Sequence, residues 1–402
     1  MPDRHAEVLI AGAGPVGCTA ALALARAGVS VIMVEGCDTL PLELRASTFH
    51  PPTLDLLEDL DLTHRLIPLG LITRDYQYRD RTTGEAAIFD LGLLSDDTGH
   101  PYRLQCEQYK LTQVVCEMLK DYANAQVLFG REVIGARQDG DGVRMLCFTG
   151  EQEELYTGRY LIGADGANSC VRKSMTVRYE GFTYPEKFLV LSTPFDFAAH
   201  MDQLSNVNYV ADPDEWCVLL RTVDLWRVLL PTVPGEPDDK FLAPEYAEER
   251  LNAIVPRDEP YEVVHRTLYW VHQRVAETYR QGNLLIAGDA AHINNPLGGM
   301  GMNGGIHDSI VLAEKLVAIL REGASEDLLD VYDHQRRTIA SEFVQKQTIE
   351  NKERMESLDP DAQRKRQAEF MRVAADPERA RAFLLRTSMI EAWRDSVALG
   401  QS

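Results

Sequence analysis

A strand-like run, Val8-Leu9-Ile10, leads directly into Gly12-x-Gly14-x-x-Gly17; an Ala/Leu-rich stretch continues to Arg26, and a second apolar run, Val29 to Val34, ends on Glu35. Strand, glycine turn, helix and strand make a βαβ unit, in which each glycine has a mechanical task. Gly12 permits the tight turn, Gly14 lets the backbone approach a pyrophosphate, and Gly17 packs helix on strand. The helix N-terminus adds N–H donors and partial positive charge. Glu35 is placed to bond ribose hydroxyls, and its charge disfavours an added 2′-phosphate, so the unit suits FAD or NAD rather than NADP.

The 402 residues exceed the usual size of one domain, and the bulk character narrows the partners. A formal charge of −21 repels a phosphate backbone and no Lys/Arg cluster offsets it, which argues against nucleic acid. No apolar run is long enough for a bilayer, and Met1 to Glu7 lacks the apolar core of a signal peptide, so a cytoplasmic protein with no membrane partner is expected. The seven cysteines form no C-x-x-C pair, which suits reduced thiols. His292 and the pair His307-Asp308 come without an H-x-H, H-E-x-x-H or Cys/His cluster, so they read as structural and no metal is expected.

Further along, helical spacing follows Pro51-Pro52, a hairpin pattern surrounds Thr82-Thr83-Gly84, and Gln108 to Tyr122 is helical again. Val127 to Phe148, broken by Asp139-Gly140-Asp141-Gly142, reads as a β-meander. Alternating, aromatic and Pro-rich texture from about 178 to 266 predicts a mainly β insert, with strands at Phe188 to Leu191, Trp216 to Arg221 and Trp226 to Leu230. The small-residue style resumes at Asn283, before a long helix from about Gly301 to Leu320. The expected division is a discontinuous first domain (1–75, 101–178 and 266–330), a β-rich second one (76–100 and 179–265) and a helical C-terminal region (331–402). In that tail, Asp359-Pro360 and Asp376-Pro377 each set a capping carboxylate before a first-turn proline.

Two more motifs end predicted strands: Gly163-Ala164-Asp165-Gly166-Ala167-Asn168-Ser169-x-Val171-Arg172, and Gly288-Asp289-Ala290-Ala291-His292 followed by Pro296 to Gly304. Together with the first, in this order over roughly residues 6 to 350, they resemble the group A aromatic hydroxylases, the flavoprotein family of p-hydroxybenzoate hydroxylase and the phenol-type monooxygenases. The resemblance implies an α/β fold: a Rossmann-type FAD-binding domain of the p-hydroxybenzoate hydroxylase type, with a mainly β substrate domain inserted and a helical C-terminal tail. It places Asp289 on the ribityl chain of FAD, the backbone of Met302 and Asn303 at the pyrimidine end of the flavin, where a helix starting near Gly301 aims its unpaired N–H groups, and Asp165-Gly166 in a segment serving both FAD and the pyridine nucleotide. Arg45 and Gln108 match its pyrophosphate and ribityl contacts, and Val133 its adenine-side contact. Gly299-x-Gly301-x-x-Gly304 matches the dinucleotide pattern literally but follows a proline loop rather than a strand, so NADH or NADPH is expected to visit without a Rossmann domain of its own.

The implied activity is hydroxylation of a small aromatic or phenol-like substrate with NAD(P)H and O2 through a C4a-hydroperoxyflavin, chemistry that belongs to the cofactor. The protein's share is a dry pocket between insert and flavin domain. Tyr209, Trp216, Arg221 and Trp226 are its candidate lining, with Pro296 from the flavin side, although aromatic residues on strands are core more often than ligand contacts. No general base is identifiable. A reductase, dehydrogenase or halogenase on the same scaffold is the alternative, the last lacking its W-x-W-x-I-P signature, and a non-catalytic FAD-binding module is a more distant one. The apolar face of the tail, with Phe383, Leu384, Leu385, Ile390 and Trp393, either covers the core or meets a second subunit, as in a homodimer.

Overall fold

The computed structural model describes residues 4–42, 46–212, 214–356 and 359–401. Its first sheet grows from the chain's most apolar short runs. His5–Ala11 and Val31–Val34 are buried almost throughout, as strands covered on both faces must be. The parallel order is Leu284–Ile286, Glu153–Gly163, His5–Ala11, Val31–Val34 and Ala125–Leu128, with Arg280–Gln281 antiparallel at one edge. Register fixes the site: Ala11 pairs with Gly163 and Val34, and Gly163 pairs with Ile286. The glycine loop, the Ala164-Asp165-Gly166 segment and the Gly288-Asp289 turn therefore leave the sheet side by side at its carboxyl edge, where open α/β sheets bind their ligands.

Glu153–Gly163 is long because it serves twice: its first half also pairs with Gly142–Phe148, which continues antiparallel to Glu132–Asp139. This is the meander expected from the Asp-Gly turn.

The second sheet has the order His292–Ile293, His265–Ala276, Tyr179–Thr193, Trp226–Pro231, Cys217–Arg221, Val207–Ala211, Asp75–Asp80 and Ala86–Asp90. Both faces are covered. One carries Leu189, Leu219, Trp226 and Val228 against the helix Pro244–Ile254. The other carries Tyr76, Tyr78, Phe188, Tyr209 and Trp216 against Leu297 and the C-terminal helices Pro360–Ala374 and Pro377–Thr387. Tyr179–Thr193 runs for 15 residues, well beyond the Phe188 to Leu191 segment legible in sequence. Position 266 falls inside His265–Ala276, so the changeover placed there lies within a strand rather than in a linker.

A third sheet was not foreseen: Thr48–Phe49, Arg103–Gln105 and Leu71–Thr73, three short antiparallel strands wedged between the other two. The long helix Met300–Glu322 lies against the helix of the first motif, Pro15–Arg26. In the tail, Asp359 and Asp376 accept from backbone N–H groups at 3.0 and 3.1 Å, capping their helices as expected. Leu384 and Ile390 are buried against the chain's own second sheet, so the tail covers the core. Among the described residues no helix is long and apolar enough to cross a membrane.

Candidate flavin and substrate site

The first loop has the shape of a dinucleotide cradle. Gly12 has φ +98°, and a Cβ there would lie 2.4 Å from the Ala164 carbonyl oxygen. A Cβ on Gly17 would lie 2.0 Å from the Gly12 carbonyl oxygen, so neither position admits a side chain. Gly14, by contrast, meets nothing within 4 Å: the space above the helix start is open. The first turn of that helix carries no acidic residue, leaving its N–H groups and dipole free to face an anion. Glu35 is held beside the loop, its carboxylate accepting from Ala13 N at 2.9 Å and Cys37 N at 3.0 Å. The Glu35 carbonyl accepts from Arg131 N at 2.8 Å, which brings the strand containing Val133 to the same end.

The other two motifs interlock with the first. The Asp165 carboxylate accepts from Ser169 Oγ, Cys170 N and Val171 N at 2.5, 2.7 and 3.1 Å, and so caps Cys170–Ser174. Gly166, at φ +76°, has open space where a side chain would stand. Arg172 ties the second motif to the third: it donates to Ala167 O at 2.7 Å and Ala290 O at 2.9 Å while lying over the Tyr179 ring at 3.9 Å. Burial pulls its guanidinium pKa down. Asp289 is exposed between buried Gly288 and Ala290, in the turn that leaves the sheet beside the other two loops. Cβ atoms on Gly288 or Gly305 would each fall 2.7 Å from Val16 Cγ2 in the first turn of the helix Pro15–Arg26, so the third motif and the long helix close on one side chain of the first motif.

Behind them sits a buried ionic network. Asp308 accepts from Gly288 N at 3.0 Å, His292 Nε2 at 2.8 Å and Arg336 Nε at 2.7 Å. Arg336 also reaches Ser396 Oγ at 2.8 Å in the last helix. His292 is thus a structural residue on one side, and His307 bonds Thr53 Oγ1 at 2.9 Å, its burial holding it neutral with a pKa of about 3.

The loop before the long helix completes the edge. Gly298 and Gly299, at φ +103° and +68°, turn the chain so that the helix begins with no side-chain cap and no acid in its first turn. Met302 is half-buried and Gly301 packs near Asn294. The Asn303 side chain is fully used, donating to Thr48 O and Gly299 O and accepting from His50 N, which leaves only its backbone for any ligand. Gln108 starts the helix Gln108–Leu119, its N–H bonded to Ala46 O at 3.0 Å, close to the segment containing Arg45, which itself lies outside the described residues.

The residues selected in the insert are not brought together. Tyr209 stacks on Tyr78 at 5.0 Å and Trp216 packs edge-on to Phe188 at 5.5 Å, both on the face that meets Leu297, next to Pro296. Trp226 lies on the opposite face, bonded to Asp196 at 3.1 Å. Arg221 lies over the Trp226 ring at 5.6 Å, its side chain 38 % exposed, with Asp196 at 3.9 Å.

Four residues without a sequence signal join the site through the small sheet: Thr48, His50, Arg103 and Gln105. Thr48 Oγ1 donates to Gln105 Oε1 at 2.8 Å, and His50 Nε2 donates to Gly298 O at 2.8 Å. His50 is fully buried, and desolvation, then the Arg103 charge, hold its pKa well below the ordinary value, so it is a neutral imidazole with Nδ1 as acceptor. Arg103 lies over the Tyr76 ring at 4.1 Å.

A family model described as FAD binding domain matches residues 5–347. The chain is 33% identical over 350 residues to the 6-hydroxy-3-succinoylpyridine 3-monooxygenase of Pseudomonas putida (strain DSM 28022 / S16), covering 86% of this chain and 88% of that one. It is 32% identical over 382 residues to the para-nitrophenol 4-monooxygenase of Pseudomonas sp. (strain WBC-3), covering 94% of each. The crystal structure of p-nitrophenol 4-monooxygenase from Pseudomonas putida DLL-E4 superimposes with a TM-score of 0.91 at 31% identity, over 97% of this chain and 98% of that one.

Proposed function

The chain belongs to the FAD binding domain family and is an FAD-dependent monooxygenase, and from that premise we propose that it hydroxylates a small phenol-like ring with O2 and NADH or NADPH. The observation that carries this reading is the convergence of three strand ends on one cradle, with Val16 touching both Gly288 and Gly305. The relatives are named for a nitrophenol and a hydroxylated pyridine, both hydroxy-substituted rings.

FAD, when bound, supplies the redox chemistry: hydride acceptance from the nicotinamide and activation of O2 for transfer of one oxygen atom. The chain's residues do the rest. Gly12, Gly14 and Gly17 admit the pyrophosphate, with Glu35 at the adenosine ribose and Val133 at the adenine side. Asp289 and Gln108, with Arg45, attend the ribityl and pyrophosphate region. The N–H groups of Gly301, Met302 and Asn303, at a helix start without acids, would hold the pyrimidine end of the flavin and favour negative charge there. Asp165 and Gly166 shape the edge shared with the nicotinamide.

The substrate lies between the Pro296 loop and the second sheet, on the face of Trp216, with Tyr209 in the aromatic layer behind it. Trp226 and Arg221 stand on the far face and are left out of the pocket. Water is kept away by the apolar layer of Phe188, Trp216 and Leu297. Seven free cysteines and a requirement for reduced nicotinamide suit a cytoplasmic enzyme.

The test is NADH and NADPH oxidation with oxygen uptake by FAD-loaded protein across a panel of phenols, with product masses. A product heavier by one oxygen atom, formed with one nicotinamide oxidised and one O2 consumed, is expected. Flavin reduction with no oxygenated product from any phenol would assign a reductase or dehydrogenase instead.

A further inference from the structure

The three-stranded sheet contains a buried positive charge that no carboxylate among the described residues neutralises. Arg103 is 2 % exposed. Its contacts are a 3.4 Å donation from Nη2 to Thr387 O and the Tyr76 ring, and its Nε has no partner. The other deeply buried guanidiniums are satisfied: Arg336 by Asp308 and Ser396, Arg172 by two backbone carbonyls. Burying an unpaired cation costs stability, so a fold that retains one has left a counter-charge to be supplied from outside.

Strand register shows where the charge faces. Thr48 pairs with Gln105 and Thr73 with Arg103, so Arg103, Gln105, Thr48 and Thr73 share one face of the small sheet, and His50 follows Thr48 on that face. This face lies against the glycine loop: His50 bonds Gly298 O, and a Cβ on Gly299 would stand 3.2 Å from Thr48 Cβ. It also gathers orphaned polar atoms: besides Arg103 Nε, these are His50 Nδ1, Thr73 Oγ1 and Gln105 Nε2. Isolated orphans occur in any protein; four on one face beside the loop that frames the flavin ring mark a place built for a polar guest. The pyrophosphate cradle, at the first glycine loop, already has its own donors, which leaves the substrate as the anion.

We propose that Arg103 is the specificity-determining cation of the substrate site and binds the negative group of an aromatic anion, a phenolate or a ring-borne carboxylate. The assignment rests on the monooxygenase reading above. Tyr76, under the guanidinium, takes none of its N–H donors and leaves those not engaged by Thr387 O to the ligand. It also addresses the missing general base: a phenol received as its anion by a buried cation is already electron-rich, and His50, held neutral, supplies an acceptor rather than a charge.

The experiment uses FAD-loaded wild-type protein and R103Q, R103M and R103K, with binding read from the change in bound-flavin absorbance. Two matched pairs are titrated at a pH where the phenol is ionised: 4-nitrophenol against 4-nitroanisole, and 3-(3-hydroxyphenyl)propionate against its amide. Wild type is expected to prefer the anion in at least one pair, and the discriminating pair tells phenolate from carboxylate. R103Q and R103M lose that anion's affinity by at least about 30-fold, the neutral partner changes little, and R103K recovers part of the loss. FAD content is unchanged, and R103M melts no lower than wild type, because the desolvation of an unpaired charge offsets its long bond to Thr387 O and its contact with the Tyr76 ring. The proposal is overturned if wild type binds neither anion, if it binds neutral and charged partners alike in both pairs, if R103Q weakens both members equally, or if the variants shed FAD. Turnover by wild type without charge discrimination sinks only the Arg103 assignment; discrimination without any oxygenated product sinks only the monooxygenase.

Discussion

The carboxylate of Asp308 lies 2.7 Å from the guanidinium of Arg336, with neither side chain more than 2 % exposed. Breaking such a pair from one side strands the other charge, at a cost of about 3–5 kcal/mol. R336M is therefore expected to destabilise the protein by about that much in urea unfolding and to lower FAD retention, since Asp308 also holds Gly288 N. A variant that unfolds like wild type would show the pair to be dispensable.

The same carboxylate predicts an acid limb. Burial opposes its ionisation, but His292 and Arg336 outweigh that and lower its pKa to about 2. A folded-state pKa below the unfolded value, about 3.9, means that the stabilisation is fully present above about pH 4 and is lost as pH falls toward 2. D308N should flatten this limb of a stability-versus-pH curve, while the rest of the curve keeps its shape.

Gly14 and Gly17 separate binding from folding. G17A forces a Cβ to 2.0 Å from a backbone oxygen and should yield little folded protein. G14A meets open space and should fold with an unchanged apoprotein melting temperature, yet bind FAD roughly ten- to a hundredfold more weakly, the cost of about 1–3 kcal/mol for an extra methyl against a packed ligand. Equilibrium flavin-fluorescence titration distinguishes the two.

R172M removes both donors that tie Ala167 O to Ala290 O. The buried Ala290 carbonyl left bare should cost about 1–3 kcal/mol, and the half-buried Ala167 carbonyl less. The flavin should become more accessible to iodide quenching as the second and third motifs separate; identical quenching in variant and wild type would argue against the clamp.

Trp216 and Trp226 give opposite expectations. W216A should raise KM for a phenolic substrate and increase the fraction of NAD(P)H oxidised without product, as the apolar layer opens to water. W226A should lower stability by about 3–5 kcal/mol, a core cavity, with KM unchanged in whatever protein folds. Equal KM effects from the two would contradict their separation on the faces of the sheet.

These contrasts follow what a sequence can and cannot carry. The three glycine motifs were legible because each glycine answers a local demand: a positive φ at Gly12, a helix seated on a strand at Gly17. The caps at Asp359 and Asp376 were legible for the same reason. Trp226 and Trp216 could not be sorted, because both faces of the second sheet are covered and alternation no longer separates inside from outside. The strands Thr48–Phe49, Leu71–Thr73 and Arg103–Gln105 are too short for any period, and exist only because distant segments press them together. Arg103 was hidden with them: in the run Tyr102-Arg103-Leu104-Gln105 an arginine reads as a surface residue.

The parallel sheet takes its central strands from residues 5–11, 153–163 and 284–286, so the cradle is assembled from places far apart along the chain. During synthesis the glycine loop emerges almost first, yet it has no floor until Leu284–Ile286 leaves the ribosome, at roughly 5–20 residues per second many seconds later. The mostly antiparallel second sheet is nearly complete by then and can fold ahead of the frame that flanks it. A nascent chain halted before residue 284 would hold the first motif in full and still not turn yellow.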